Sequence, residues 1–197
     1  MIDDDDASGT LLKDFSLAIA AIFICLVILL LPFINPPKKD EAQEIKAAGN
    51  IIIETIWDKE TFHDVDTWVL GPDGIKVGYN NKSSPIFNLL RDDTGKSNDV
   101  TGLNYENTYS RGIPDGWYLV NLHMYAMHAG EVPVIVRVVL SIKEEPNSSV
   151  LQFYAADIKI YEGREEITVL RFRVKDKKII RESFSTAYVP IVKRIEE

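Results

Sequence analysis

Asp14 is the side chain whose position most strongly indicates chemistry, because it stands at the start of a long apolar run. No charged residue occurs from Phe15 to Leu31. A carboxylate at membrane depth is costly unless it faces protein or water, and so it marks a functional site. Low-dielectric surroundings disfavour the ionised form of a carboxyl group, which lets it load a proton on one side and release it on the other. The alternative is an inert acid, solvated or paired with Lys13.

Asp64 and Asp66 form the second candidate site. They alternate with Val65 in a stretch that reads as a strand, so both carboxylates lie on one face. Carboxylate oxygens are the ligands that Ca²⁺ prefers, and Asn80 or the Asp92–Asp93 pair could add further oxygens. A pair of this kind more often orders the strand entry or caps a neighbouring loop, and a Ca²⁺ site is the second interpretation.

A third candidate lies in the polar region 88–116, which is the longest region without hydrophobic periodicity. Its Arg91, Tyr105, Tyr109 and Arg111 are residue types that favour contact with a protein or a glycan. We interpret the region as a partner-binding loop. A compact loop held by its own hydrogen bonds is the other interpretation.

Composition and motifs argue against two classes of function. The net charge is −8 and no basic stripe occurs, which argues against nucleic-acid binding. No nucleophile elbow, phosphate-binding loop or dinucleotide motif is present, and His63, His123 and His128 lack metal-ligand spacing. We therefore expect a protein that is not an enzyme.

The apolar run predicts the element that positions Asp14. About 20 helical residues reach across the roughly 30 Å of a hydrocarbon core, so residues 14–34 are expected to form a transmembrane helix. At 100° per residue, Ala18, Ala21 and Cys25 fall on the same narrow stripe as Asp14. Small residues let helices approach closely in lipid, so the stripe predicts a homodimer.

Asp14-Phe15, followed by Ala18, Ala21 and Phe23 and an aliphatic run, resembles the membrane helix of the B subunits of flagellar stators (MotB) and of the TolR/ExbD type. The resemblance implies a dimer inside a ring of a polytopic MotA/TolQ/ExbB-like partner, typically a pentamer. Asp14 would then bind and release the H⁺ or Na⁺ that drives rotation. The Asn/Leu/Arg motifs with which flagellar B subunits grip peptidoglycan have no clear counterpart here.

This resemblance also implies a location. It places the chain in the bacterial inner membrane as a single-pass protein, with a cytoplasmic N-terminus and a periplasmic C-terminal domain that could contact an envelope component. The lysine count conflicts with this orientation, because Lys13 precedes the helix whereas Lys38, Lys39 and Lys46 follow it. Long domains translocate largely regardless of such charges, and we follow the resemblance.

Beyond the helix, the pattern predicts a linker and an all-β domain. Residues 35–49 contain Pro36-Pro37 and many charges, which favours a spacer over a channel plug. From residue 50 the apolar period becomes two, and turn signals separate the segments. Nine strands are expected, at residues 51–57, 65–70, 75–79, 85–90, 117–127, 132–143, 150–161, 166–174 and 178–186. Such a series, without a convincing helix, predicts an antiparallel β-sandwich.

Asp64-Val65-Asp66, with Gly71-Pro72-Asp73-Gly74 and Tyr79-Asn80-Asn81 after it, resembles an Asp-Val-Asp-type pattern of small bacterial β-sandwich modules. Those modules share no single activity, so this resemblance implies a fold only.

The predicted organisation is thus an acidic cytoplasmic tail (1–13), a transmembrane helix (14–34), a linker (35–49) and a periplasmic β-sandwich (50–197). The leading functional hypothesis is the B subunit of an ion-driven motor that couples ion flow at Asp14 to force on the β-sandwich. The second is a membrane-tethered binding or scaffold module without a motor role.

Overall fold

The computed structural model describes residues 4–34, 49–96, 102–130, 132–144 and 148–192. The chain divides into two units, Met1–Lys46 and Ala47–Glu197. The first contains the helix α1 (Asp4–Ile34), and the second contains the ten described strands. The strands are β1 (Ile51–Trp57), β2 (Asp64–Leu70), β3 (Lys76–Val77), β4 (Phe87–Arg91), β5 (Asn104–Ser110), β6 (Gly116–Ala126), β7 (Val134–Ile142), β8 (Leu151–Ile160), β9 (Glu166–Lys175) and β10 (Lys178–Ser185).

The helix α1 begins at Asp4, ten residues before the predicted start at Asp14. Three consecutive acids, Asp4 to Asp6, occupy its first turn. Most of the predicted acidic tail is therefore helical. The predicted linker from residue 35 to residue 48 lies outside the described residues.

The structure contradicts the predicted transmembrane helix at residues 14–34. In the part of the chain that the structure describes, no helix is both long and apolar enough to cross a membrane. The predicted single-pass location in an inner membrane depended on that helix and is contradicted with it.

The second unit consists of two five-stranded antiparallel sheets. The first sheet has the order β4-β5-β1-β7-β8, and the second has the order β10-β9-β6-β2-β3. Their inward-facing residues form one hydrophobic core, with Ile53 and Val138 from the first sheet and Val69 and Leu122 from the second. Alternation of buried and exposed side chains along β7 shows why the period-two pattern predicts these strands. The all-β part of the fold prediction therefore agrees with the structure.

Aromatic rings fill the centre of this core. Tyr118 stacks on Phe172 with ring centroids 5.2 Å apart and planes 11° apart. Phe153 meets Phe172 edge-on at 5.3 Å, which joins β8 of the first sheet to β9 of the second. Such pairs add to the large apolar area that each ring removes from water. They fix the distance between the sheets at one end of the sandwich.

Each of the nine predicted strands overlaps a strand of the structure, but β5 (Asn104–Ser110) was not predicted. The prediction of a loop over 88–116 is therefore wrong, because this region holds the end of β4 and all of β5. The buried positions of β5 are polar, which hides its period of two from a hydropathy pattern.

The two sheets meet along a seam between β2 and β5. The short strand β3 pairs only with Val69 and Leu70, so the first half of β2 is an open edge of the second sheet. The backbone N–H of Thr67 on this edge donates to Glu106 Oε2 on β5 at 2.6 Å. Beside it, Thr67 Oγ1 donates to Thr55 Oγ1 on β1 at 2.8 Å. Polar side chains thus connect the sheets where backbone pairing is absent.

The segment after β10 covers part of the outer face of the second sheet. Ile191 packs there against Trp68 and Leu119 in a small separate cluster. Glu166 binds this segment, because its Oε1 accepts the N–H groups of Ile191 and Val192 at 2.7 and 3.0 Å.

Candidate metal centre

Three carboxylates meet at the seam between the sheets. Asp66 of β2, Asp92 just after β4 and Glu106 of β5 each present an oxygen, and these oxygens lie within 4.8 Å of one another. Asp66 is 3 % exposed and Glu106 is 1 % exposed. The Asp92 side chain is 22 % exposed. Two of the three acids are therefore buried, and the third opens to solvent.

Asp66 is positioned by the alternation of β2. Val65 and Val69 face the main core, whereas Trp68 belongs to the cluster on the opposite face. Asp66 shares that outer face and bonds His123 of β6, with Oδ2 3.2 Å from Nδ1. Such a contact orients a carboxylate in the way that outer partners orient the ligands of a metal.

Glu106 is positioned from the other sheet. Its Oε2 accepts the Thr67 N–H, but among the described residues its Oε1 has no hydrogen-bond partner. Among the described residues, no other carboxylate oxygen of Asp66, Asp92 or Glu106 is both buried and unpaired. Burial raises the pKa of Glu106 well above its ordinary value, and the charge of Asp66 raises it further. This carboxylate therefore lacks a compensating positive group.

A tight turn brings Asp92 to the same place. Gly95 has a φ of +75°, and a Cβ there would lie 2.5 Å from the carbonyl oxygen of His63. Its N–H donates to Asp93 Oδ1 at 3.0 Å, and Arg91 bonds Asp93 Oδ2 at 2.6 Å. Asp93 is thus paired away from the cluster, whereas Asp92 points to it. Only glycine fits a positive φ at so close an approach.

One lysine already contacts the cluster from outside. Lys82 Nζ lies 2.9 Å from Asp92 Oδ2, and the lysine side chain is 56 % exposed. An exposed ion pair of this kind contributes little free energy because both groups are well hydrated when apart. Lys82 therefore offsets part of the charge of Asp92. Asp66 has His123 beside it, whereas no ion pair to Glu106 is present among the described residues.

A cavity of about 160 Å³ opens beside the three carboxylates. Its lining residues combine acids with aromatic rings and are Asp64, Asp66, Tyr79, Asp92, Thr94 and Tyr125. Glu106 is not among them and lies behind Asp66 and Asp92, buried in the seam. Two members of the cluster therefore face the cavity, and the third supports them from inside.

The electrostatics of this region favour an added positive charge. Burial raises the pKa of Asp64 to about 7, and the charges of Asp66, Asp92 and Asp93 act in the same direction. Burial also raises the pKa of Asp66, although His123 acts against that shift. Closely spaced acids raise one another's pKa because their charged forms repel. A bound cation would relieve both the repulsion and the cost of burial.

The donor set fits a hard divalent cation. All three groups are carboxylates, the ligands that suit Ca²⁺, Mg²⁺ and Mn²⁺ rather than soft metals. Two oxygens on opposite sides of a Ca²⁺ ion lie about 4.8 Å apart when each is about 2.4 Å from the ion. The separations within the cluster are therefore compatible with Ca²⁺ without large movement.

Of the residues expected at a Ca²⁺ site, Asp66 and Asp92 belong to the cluster, whereas Asp64 lines the cavity beside it. Asn80 and Asp93 are not members of the cluster. Glu106 was not predicted as a ligand. The signal that could have revealed it is the alternation in Asn104–Ser110, which places this one acid among the inward-facing residues of a strand.

The four residues predicted to bind a partner lie on and beside strands rather than on a loop. Arg91 is the last residue of β4, Tyr105 and Tyr109 belong to the outward-facing series of β5, and Arg111 follows β5. The Arg91 guanidinium lies 5.7 Å from the centre of the Tyr105 ring. Arg111 donates to Asn88 Oδ1 at 2.9 Å. Arg91, Tyr105 and Tyr109 are half-buried, and Arg111 is exposed. None of the four belongs to the acidic cluster, and partner binding there stays a prediction.

The helix residues singled out from the sequence are all exposed within the described chain. These are Asp14, Ala18, Ala21 and Cys25. Ion transport by Asp14 and pairing of two helices along this stripe stay predictions.

No protein-family model, no curated protein and no solved structure matches this chain. The resemblance to motor B subunits therefore stays an interpretation of a short segment. The β domain provides the observations from which a function can be inferred.

Proposed function

We propose that the β domain is a binding module that holds a divalent cation, Ca²⁺ in the first place, with Asp66, Asp92 and Glu106 as its protein ligands. The observation that carries the proposal is the unpaired Glu106 Oε1, which is buried and belongs to a carboxylate oriented toward two other acids. Leaving a buried polar group unsatisfied costs about 1–3 kcal/mol, and more for a charged group. A cation in the cluster removes this cost.

A second buried glutamate in the same domain supports this reading. Glu166 is 7 % exposed, and both of its oxygens are fully engaged. Its Oε1 accepts hydrogen bonds from Asn121, Ile191 and Val192, and its Oε2 accepts one from Tyr188. The fold thus satisfies a buried carboxylate with donors where its role is structural. The absence of such donors at Glu106 Oε1, among the described residues, supports a ligand role.

The proposal keeps the binding module that was the second hypothesis from the sequence, without the membrane tether. The motor hypothesis presupposes a spanning helix and a ring-forming partner, and it is not proposed again. Catalysis is not part of the proposal, because the function assigned to the cluster is to hold an ion and, through it, a ligand.

The test is calorimetric titration of the full chain with CaCl₂ after divalent ions have been removed with EDTA. We expect saturable binding of one ion per chain, with MgCl₂ and MnCl₂ as competitors. Glu106→Gln and Asp66→Asn should each weaken binding by roughly 100-fold, because loss of even an outer partner of a metal costs 10–100-fold. Glutamine can still accept the Thr67 N–H, so the fold should survive.

The matched control is Asp157→Asn. Asp157 forms an exposed ion pair with Arg137 at 3.0 Å and belongs to β8 at the far edge of the first sheet. This variant should bind Ca²⁺ like the original chain. Absence of binding of all three ions by the folded chain would overturn the proposal, and so would unchanged affinity in Glu106→Gln.

A further inference from the structure

Two tyrosine rings form part of the wall of the cavity beside the metal centre. Tyr79 and Tyr125 both line it, with centroids 5.3 Å apart and planes at 65°. Tyr79 also meets the buried Trp68 edge-on at 5.5 Å, which fixes its orientation from behind. Their side chains remain 38 % and 51 % exposed. Partly exposed and rigidly held rings at a cavity wall offer an apolar surface to a ligand at low entropic cost.

The cation would present open coordination positions toward this cavity. The three acids would supply three oxygen ligands if each bound through one oxygen, whereas Ca²⁺ takes six to eight. Asp66 and Asp92 line the cavity, and Glu106 lies behind them. The vacant positions therefore face the space between the carboxylates and the tyrosines, where oxygens of a ligand can fill them.

We propose that this cavity binds a neutral polyhydroxylated ligand, a single sugar ring or a cyclic polyol, through two adjacent hydroxyl groups on the bound cation and packing on Tyr79 and Tyr125. This inference rests on the cation site proposed above. It adds the class of ligand, which the cation site alone does not specify.

The charge of the cavity selects a neutral ligand. The cluster and Asp64 together contribute four carboxylates, and Lys82 contributes one positive charge. A divalent ion and Lys82 offset three of the four charges, so the fully ionised site stays negative. Phosphates and carboxylic acids would be repelled, whereas hydroxyl groups can coordinate the ion and donate hydrogen bonds to Asp64.

The size of the cavity limits the ligand to one ring. The cavity measures about 160 Å³. Pockets for larger, drug-sized ligands are about 300–1,000 Å³. The cavity therefore fits one sugar unit at the end of a chain, with the rest of the chain in solvent.

The experiment is saturation-transfer NMR on the full chain with the methyl glycosides of mannose, galactose, glucose and fucose, together with myo-inositol, in saturating CaCl₂. At least one of these probes should give signals that disappear when EDTA is added. Tyr125→Ala should weaken that binding by about tenfold, because it removes one of the two rings on which the ligand packs. The same variant should keep its calorimetric affinity for Ca²⁺.

Tyr161→Ala is the matched control, because Tyr161 is equally exposed at 55 % but does not line this cavity. Binding of Ca²⁺ without binding of any probe would overturn this inference and leave the cation site standing. Probe signals that persist in EDTA would overturn the bridging role of the ion. Failure of the chain to bind any of the three cations would overturn both proposals.

Discussion

Glu106 Oε2 accepts the backbone N–H of Thr67 at 2.6 Å, which joins β5 of the first sheet to the open edge of β2 in the second. The same carboxylate belongs to the acidic cluster, and its other oxygen has no hydrogen-bond partner among the described residues. One side chain thus connects the sheets and also belongs to the candidate cation site. Stability and ion binding are therefore linked through it.

Glu106→Gln should change the stability of the chain in opposite directions in EDTA and in Ca²⁺. Since the pKa of Glu106 is raised in the folded chain, its ionised form opposes folding at pH 8 when no ion is bound. In EDTA, Glu106→Gln should raise the free energy of unfolding by about 1–3 kcal/mol, the usual cost of an unsatisfied buried group. In saturating Ca²⁺ the variant should instead be the less stable of the two. Urea denaturation in both buffers measures the reversal, and the same sign in both would contradict the linkage.

Replacement of Lys82 should strengthen cation binding. Its ammonium group lies 2.9 Å from Asp92 Oδ2 and must give way, or share the carboxylate, when an ion binds. Because exposed pairs of this kind are worth about 0.2–1 kcal/mol, Lys82→Met should raise the Ca²⁺ affinity by roughly two- to fivefold. Lys96→Met is the control, since Lys96 pairs with Glu60 instead. An affinity that falls in Lys82→Met would show that the lysine supports the site.

Gly95 should be needed for both the fold and the site. Alanine at Gly95 meets the carbonyl oxygen of His63 at 2.5 Å and must also adopt a positive φ, so the turn that carries Asp92 should shift. Gly74→Ala is a matched control, because its φ of +70° is similar and nothing lies within 4 Å of its added Cβ. The control should lose about 1–2 kcal/mol of stability from backbone strain alone and keep its Ca²⁺ affinity. Gly95→Ala should lose more stability and bind Ca²⁺ more weakly, as calorimetry would show.

His63 should make the chain less stable in mild acid. Burial lowers the pKa of His63, and the neighbouring His128 lowers it further, so the folded state disfavours the protonated ring. Its Nδ1 accepts the His128 N–H at 3.1 Å. A group whose folded pKa is depressed contributes stability above its unfolded pKa, and this contribution declines as the pH falls through about 6.5.

His63→Asn isolates this contribution, because the asparagine carbonyl can still accept the His128 N–H while the side chain does not titrate. The difference in unfolding free energy between the two chains should change between pH 7 and pH 5, and measurement in EDTA avoids interference from a bound ion. A difference that stays constant over this range would rule out the role assigned to His63.

The sequence predicts β2 well because its two faces differ in character. Val65 and Val69 face the core, so the alternation places Asp64 and Asp66 together on the other face. It could not predict β5, since the buried residues of that strand, such as Glu106 and Thr108, are as polar as the exposed ones. A hydropathy pattern shows no period of two when both faces of a strand are polar.

The sequence predicts the strands better than it predicts the cluster of three carboxylates. Asp66 and Glu106 are 40 positions apart in the chain and belong to different sheets. Their meeting depends on the short β3, which leaves the edge of β2 open for Glu106 to bond. The predicted start of the helix at Asp14 was late, because the apolar run alone set the predicted bounds, whereas α1 also includes Asp4 to Lys13.

The origin of the three acids in separate parts of the chain has a mechanical consequence. The only cysteine, Cys25, lies in α1, so the β domain contains no disulfide. An ion held jointly by Asp66, Asp92 and Glu106 would link the two sheets reversibly across the seam. It would stabilise the sandwich where calcium is abundant, and this stabilisation would be lost where calcium is scarce. The rigidity of the domain would then report the calcium level of its surroundings.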